Sequence, residues 1–246
     1  MEKLSKNQEK FIRSLRQKKY RQTHQKFVVE GLKMVSEAID SPMQVKTIVL
    51  SNEFDLDYYH ADISYKQCNE SQMNRISNYK NPPGILAVVQ HHKIRLDIKE
   101  GLTLVLDQIQ DPGNLGTILR TSEGMGIKKV ICSSNSVDAF SPKVVQASMG
   151  SILRLEIHYE DLKSYLEQNQ FRVYAAMLSG ENLYQAKLQS PAILLMGNES
   201  NGVSKELLSF IDLPITIPMQ GKIESYNLAT ATALVLSQFQ VRSLLR

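Results

Sequence analysis

A chain of 246 residues is long enough for one large domain or two modest ones, each with a core of its own. At 42% hydrophobic and 22% charged it has the composition of a soluble globular protein, and no apolar run reaches the roughly 18 residues of a membrane-crossing helix. The net charge of +4 is unevenly spread: residues 1–26 hold nine Lys/Arg and two Glu, which is +7, so the other 220 residues sum to −3. Such a basic segment suits a polyanion partner, because each phosphate contact releases counterions. It suits equally well a solvated helix that carries charge for solubility.

Along the chain, Phe11, Ile12 and Leu15 recur at helical spacing among the basic residues and predict a short helix with one apolar face. Residues 27–39, from Phe27-Val28-Val29-Glu30-Gly31 onward, predict a second helix packed on a core, with Pro42 as its stop. Short β-branched runs at 47–50 and 84–89, bounded by Ser/Asn and by Pro82-Pro83-Gly84, predict strands. Residues 1–92 are therefore expected to form a small α/β unit. Residues 93–101 are polar and charged, with Lys93, Arg95, Asp97, Lys99 and Glu100, and are expected to be a linker. From 102 onward apolar strands (102–106, 129–132, 172–177, 192–196, 213–217) alternate with helices (115–125, 142–149, 161–168, 203–210, 226–245). That alternation implies a mainly parallel sheet covered on both faces.

Cys68 and Cys132 have neither a CxxC nor a disulfide-rich pattern and read as reduced, buried thiols. The histidines, His24, His60, His91, His92 and His158, have no metal-ligand spacing, so no metal is expected. The opening residues Met1 to Lys6 have no apolar stretch behind them, and a cytoplasmic protein without a membrane partner is expected.

Three places carry candidate chemistry. After the 102–106 strand comes Asp107-Gln108-Ile109-Gln110-Asp111-Pro112-Gly113-Asn114, a turn in which Asn114 is expected to cap the next helix, with Arg120 further along it. Alone, this is also an ordinary turn, cap and surface arginine. After the 192–196 strand, Gly197-Asn198-Glu199-Ser200-Asn201-Gly202 puts a carboxylate at a strand end, beside a glycine that lets a ligand approach the backbone. A plain turn fits it too. Finally, Ile217-Pro218-Met219-Gln220-Gly221 precedes Glu224-Ser225-Tyr226-Asn227-Leu228 and an Ala/Thr-rich helix suited to close packing in a core or a subunit interface. No GxGxxG, Walker loop or acidic-plus-GxGxG turn follows any strand, which removes support for a nucleotide-binding oxidoreductase.

In order and spacing, N-x5-R at Asn114 to Arg120, G-x-E-x-x-G at Gly197 to Gly202, and the I-P-M-x-G…E-S-x-N stretch resemble the three motifs of the SpoU/TrmH methyltransferases. The likeness spans about 102–241, and residues 141–150 are similar to that family's linking helix. Upstream, residues 27–31 and 82–88 resemble its small RNA-binding domain. Two positions depart from the pattern: Tyr226 stands where leucine is usual, and Ala229 where serine is usual.

The resemblance implies a trefoil-knotted, mainly parallel α/β catalytic domain at 102–246, preceded by a small α/β, ribosomal protein L30-like RNA-binding domain at 1–92. It implies a homodimer through the catalytic domain and S-adenosylmethionine held by Met196, Gly197, Ile217, Met219, Tyr226 and Leu228. Arg120 would act on a ribose 2′-hydroxyl, with Asn114, Glu199, Ser225 and Asn227 positioning it, the ribose and the cofactor. The expected substrate is RNA, 23S rRNA first and tRNA second. The competing class is a non-catalytic RNA-binding or ribosome-assembly protein that keeps the fold.

Overall fold

The computed structural model describes residues 1–54, 56, 59–91 and 101–244. Apart from Gly101, the expected linker at 93–101 lies outside the described residues. The chain forms two compact units, Met1–Lys93 with Phe140–Arg154, and Ile94–Ala139 with Leu155–Arg246. Among the described residues no helix is long and apolar enough to cross a membrane.

The first unit is a five-stranded sheet ordered β1-β4-β3-β5-β2. Its strands are β1 (Glu2–Lys3), β2 (Lys26–Glu30), β3 (Gln44–Ser51), β4 (Ser64–Cys68) and β5 (Ile85–Gln90), with helices α1 (Lys6–Ser14), α2 (Lys18–His24), α3 (Leu32–Ile39) and α4 (Glu70–Ile76). The helix expected over 27–39 is thus a strand followed by a shorter helix. Phe27 and Val29 are fully buried, and Val28 packs on the cluster of Leu4, Ile12, Val49 and Leu86. That is a strand's two-residue period, which propensity alone did not separate from a helical one. Gly31 makes the break, at φ 91 in the region that favours glycine.

The basic segment is built into this unit rather than attached to it. β1 pairs in parallel with β4 at the sheet edge, Ser5 and Gln8 form a capping box at the start of α1, and Leu4, Ile12 and Leu15 enter the core beside Met73 and Ile76. Two of its cations serve the backbone: Arg16 Nη2 donates to the carbonyls of Arg75 (2.9 Å) and Ser77 (2.5 Å), and Arg21 Nη1 to those of Leu15 (2.8 Å) and Arg16 (2.7 Å). Glu9 takes the guanidinium of Arg75 at 2.6 Å. The buried Glu30 carboxylate accepts from Ser77 Oγ (2.5 Å), the Asn78 N–H (2.8 Å) and Asn78 Nδ2 (2.7 Å), which ties down the start of the loop before β5.

Residues 140–154, expected with the second unit, pack with the first. Their helix α6 (Pro142–Ser148) lies on β2, the Phe140 ring sits 5.0 Å from Phe27 and 4.0 Å from His91, and Arg154 pairs with Glu37 at 3.0 Å.

The second unit is a six-stranded sheet, β11-β9-β10-β6-β7-β8, parallel throughout. The strands are β6 (Leu102–Leu106), β7 (Lys129–Ser133), β8 (Glu156–Glu160), β9 (Arg172–Asn182), β10 (Ala192–Met196) and β11 (Leu213–Thr216). Every residue of β10 is buried, as a central parallel strand covered on both faces requires. Val105, Ile131, Val173 and Leu195 share one core with Leu162 and Leu166 of α7 (Leu162–Glu167). Elsewhere α5 (Pro112–Gly124) packs against α8 (Leu228–Leu244), and Phe239 of α8 meets Tyr174 edge-on at 5.3 Å. A 3-10 turn, Lys205–Phe210, stands where a helix over 203–210 was expected, and β8 is a strand that sequence reasoning missed. Burial pushes the Cys68 thiol up to about 11 and the Cys132 thiol up to about 12, so both stay protonated and unreactive.

Because Arg21 satisfies carbonyls at the end of α1, its loss is a folding defect. Arg21→Ala is expected to cost about 2–4 kcal/mol, the scale of two hydrogen bonds from a charged donor, measured by urea unfolding of the full chain. A stability within about 0.5 kcal/mol of wild type, the effect of an ordinary surface change, would show that these bonds are dispensable.

Candidate active site

With all strands parallel, the loops after β6, β10 and β11 leave the same edge of the sheet, where open α/β folds bind ligands. The loop after β6 differs from expectation in one respect. Asp111, not Asn114, is the N-cap of α5, its carboxylate accepting from the Asn114 N–H at 2.7 Å, with Pro112 at the first helical position. Helix α5 therefore starts earlier than expected, and the Asn114 side chain is released from capping.

That release lets three motifs meet. Asn114 Nδ2 donates to Glu199 Oε1 at 3.1 Å, and Asn227 Nδ2 donates to Asn114 Oδ1 at 2.9 Å. Asn227 in turn caps α8, its Oδ1 accepting from the N–H groups of Ala229 (3.0 Å) and Thr230 (3.3 Å). Helix α8 begins at Leu228, two residues later than expected. The segment 217–227 thus runs from the edge strand β11 to the head of α5, beyond β9 and β10 in the sheet order.

Beneath this trio lies a clamp that sequence reasoning missed. Gln108 follows β6 with φ 56, left-handed although not glycine. Its N–H donates to Ser133 Oγ (2.8 Å), its carbonyl accepts from Asn198 Nδ2 (2.7 Å), and its Nε2 donates to Ser204 Oγ (3.0 Å). The buried Asp107 accepts from the Ser204 N–H at 2.8 Å. Asn198 also closes its own loop, exchanging backbone bonds with Gly202 and accepting from the N–H groups of Ser200 and Asn201. Gly197 is required here for a reason other than a ligand: a Cβ would lie 2.3 Å from the Gly202 carbonyl carbon. The polar residues of D-Q and G-N were visible in the sequence, but no local pattern pairs positions some 90 residues apart.

Among the expected cofactor residues, Met196, Gly197 and Leu228 are buried, and Ile217, Met219 and Tyr226 half-buried. Among the described residues, the backbone groups of 217–226 have no backbone partner. Backbone groups without a backbone partner, set between half-buried apolar side chains, fit the adenosine portion and the methionine chain of S-adenosylmethionine, which needs no phosphate cradle. Arg120 and Ser225 are exposed and bond to none of the trio. Arg120 is six residues past Asn114 on α5, about 240° around the helix. No group of three or more His, Cys, Asp or Glu side chains among the described residues is placed to hold a metal ion.

Comparison with known proteins adds to this geometry. The SpoU rRNA methylase family profile matches residues 101–237, and that of the MRM3-like substrate binding domain matches 6–87. The chain is 32% identical to the 23S rRNA (guanosine(2553)-2'-O)-methyltransferase of Bacillus subtilis, over 94% of this chain and 96% of that one. A solved structure assigned to the TrmH family of RNA methyltransferases, from Porphyromonas gingivalis, superposes with a TM-score of 0.88 at 40% identity, covering 97% of this chain and 99% of that one. The S-adenosylmethionine-bound rRNA methyltransferase of Sinorhizobium meliloti does so with a TM-score of 0.86 at 30% identity, covering 98% and 97%. With the three motifs joined at one sheet edge and more than half the chain matched, this protein belongs to the SpoU rRNA methylase family.

Proposed function

We propose that the protein is an S-adenosylmethionine-dependent RNA methyltransferase acting on a ribose 2′-hydroxyl, with 23S rRNA as its substrate ahead of tRNA. The observation that carries this reading is the hydrogen-bonded meeting of Glu199, Asn114 and Asn227 at the carboxyl edge of the parallel sheet. The relatives support the substrate class, since the Bacillus subtilis protein is named for 2′-O-methylation of 23S rRNA. The reading includes a trefoil knot in the second unit, an L30-like RNA-binding first unit, a homodimer through the catalytic unit and a cytoplasmic location. The intact Asn114, Arg120, Glu199 and Asn227 speak against a protein that kept only the fold.

S-adenosylmethionine supplies an electrophilic methyl group on a sulfonium. Met196, Gly197, Ile217, Met219, Tyr226 and Leu228 hold it, chiefly through backbone groups and apolar contact. Alignment of donor and hydroxyl accounts for much of the acceleration, up to roughly 7–11 kcal/mol in ideal systems. A guanidinium stays protonated at neutral pH and is a poor base. Arg120 instead stabilises the alkoxide that develops on the ribose, and the proton leaves to a phosphate or water. Its side chain is exposed and bonds to no other described residue, so it is available to substrate. Ser225, exposed on the loop before α8, together with the Asn114–Glu199–Asn227 trio, positions ribose and cofactor.

Calorimetry is expected to show binding of S-adenosylmethionine or S-adenosylhomocysteine and none of NAD; the opposite result would overturn the reading. Arg120→Ala is expected to reduce methyl transfer by about 100-fold or more, the scale of losing one charge-stabilising donor, with unchanged cofactor affinity. Arg120→Lys recovers little, lacking the planar fork. Loss of cofactor binding in folded Arg120→Ala would instead place the arginine in the cofactor pocket. Light scattering of the full chain is expected to give about twice its 27.9 kDa; a monomer at micromolar concentration would contradict the dimer.

A further inference from the structure

The first unit carries a surface feature that its own packing leaves unused. On α2, Tyr20 and His24 are one helical turn apart and both exposed, with rings 6.4 Å apart and only 9° from parallel. The ring of Phe11, on α1, meets His24 edge-on at 5.1 Å, and Lys26 Nζ lies 5.5 Å from the centre of that ring. Phe11 itself packs against the buried cluster, so the aromatic row rests on the core. The end of α2 is pinned as well: the Gln25 carbonyl accepts from the His91 N–H at 2.7 Å and from Gln90 Nε2 at 2.9 Å.

Exposed charge lies on the same two helices. Of the cations in residues 1–26, Arg16 and Arg21 are committed to backbone carbonyls. Lys6, Lys10, Lys18 and Lys19 are exposed and form no ion pair with another described residue. The excess of positive charge in the chain therefore sits on the same two helices as its near-parallel exposed ring pair. Exposed lysines serve a phosphate backbone, and exposed aromatic rings serve planar partners.

We propose that the α1–α2 face is a docking surface for unpaired RNA, whose bases stack on Tyr20 and His24 while its phosphates meet the lysines. The inference rests on the RNA-substrate reading above, but not on methyl transfer. Double-stranded RNA keeps its base faces stacked inside the helix and gains nothing from such rings, and an acidic peptide has no plane to offer them.

The test uses the full chain and a 12-nucleotide single-stranded polyadenylate, titrated by fluorescence anisotropy at several salt concentrations. Tyr20→Leu is expected to weaken binding by about tenfold, the scale of one base–aromatic stack, without changing the salt slope. Tyr20→Phe keeps wild-type affinity, which a purely hydrogen-bonding role of the hydroxyl would not. Lys18→Gln with Lys19→Gln flattens the slope by about 0.7 log unit per decade of salt for each phosphate no longer neutralised. Wild-type unfolding temperatures in all variants, expected for exposed sites, tie the effects to the surface; a destabilised Tyr20→Leu would count against it. The proposal is overturned if Tyr20→Leu binds as wild type, if Tyr20→Phe fails to keep wild-type affinity, or if the protein ignores polyadenylate. Equal affinity for a 12-base-pair RNA duplex or for polyglutamate also overturns it, in favour of shape or bulk charge. S-adenosylmethionine calorimetry on the same samples reports separately on the methyltransferase reading, because cofactor binding can fail while RNA stacking holds.

Discussion

One carboxylate sets the polarity of the catalytic unit. Glu199 can only accept, so Asn114 must turn its NH2 group toward it, which leaves the Asn114 oxygen to accept from Asn227. Asn227, having donated, aims its own oxygen at the first free N–H groups of a 17-residue helix. The chain of bonds links a negative charge to the positive end of a helix dipole through two amides whose orientations are no longer free. Its members are partly or fully exposed, so each link contributes only about 1 kcal/mol or less to stability. Its effect is directional: it fixes where three loops stand relative to each other at the sheet edge.

The position of Glu199 depends in turn on the layer below. The 198–202 loop is closed by Asn198 and pressed so tightly on Gly197 that no side chain fits there. That loop is held to the end of β6 through the Gln108 carbonyl and to Ser204 through the Gln108 amide. A left-handed backbone at a non-glycine residue costs roughly 1–2 kcal/mol. Three hydrogen bonds of that one residue offset it, next to a fourth at the buried Asp107. Strain of this kind persists where surrounding contacts over-determine the conformation, and here it supports the loop carrying the acidic group of the site.

Much of this was legible in the sequence because it is local. Strands 102–106 and 192–196 match their observed bounds, since continuous apolar runs between turn signals have few other solutions. The clustering of 114, 199 and 227 was visible only through resemblance, because hydrogen bonds spanning 85 and 113 residues leave no periodic trace. Asn114 as cap was a reasonable local inference that failed because Asp111, just before Pro112, was an equally good cap one turn earlier. The strand at 26–30 failed for the opposite reason: burial on both sides of the chain, against Phe140 on one and the α1 cluster on the other, erased the alternation that marks a strand. The composition of the basic segment gives its charge but not what each cation touches. Arg16 and Arg21 show that a guanidinium with five donors can be a structural element of a helix end.

Hydrogen-bond satisfaction at the head of α8 also explains how the chain tolerates Ala229 where its family usually has serine. A hydroxyl at the second position of a helix is useful when the N–H groups there lack acceptors. Here the Ala229 and Thr230 N–H groups are already taken by Asn227, and Thr232 returns its hydroxyl to the Leu228 carbonyl at 2.8 Å. Ala229 is 6% exposed, so a serine would have to satisfy a nearly buried hydroxyl beside N–H groups that already have their acceptor in Asn227. Alanine at 229 removes that demand. The polar work of the motif then falls on Asn227, whose side chain touches both the helix end and Asn114.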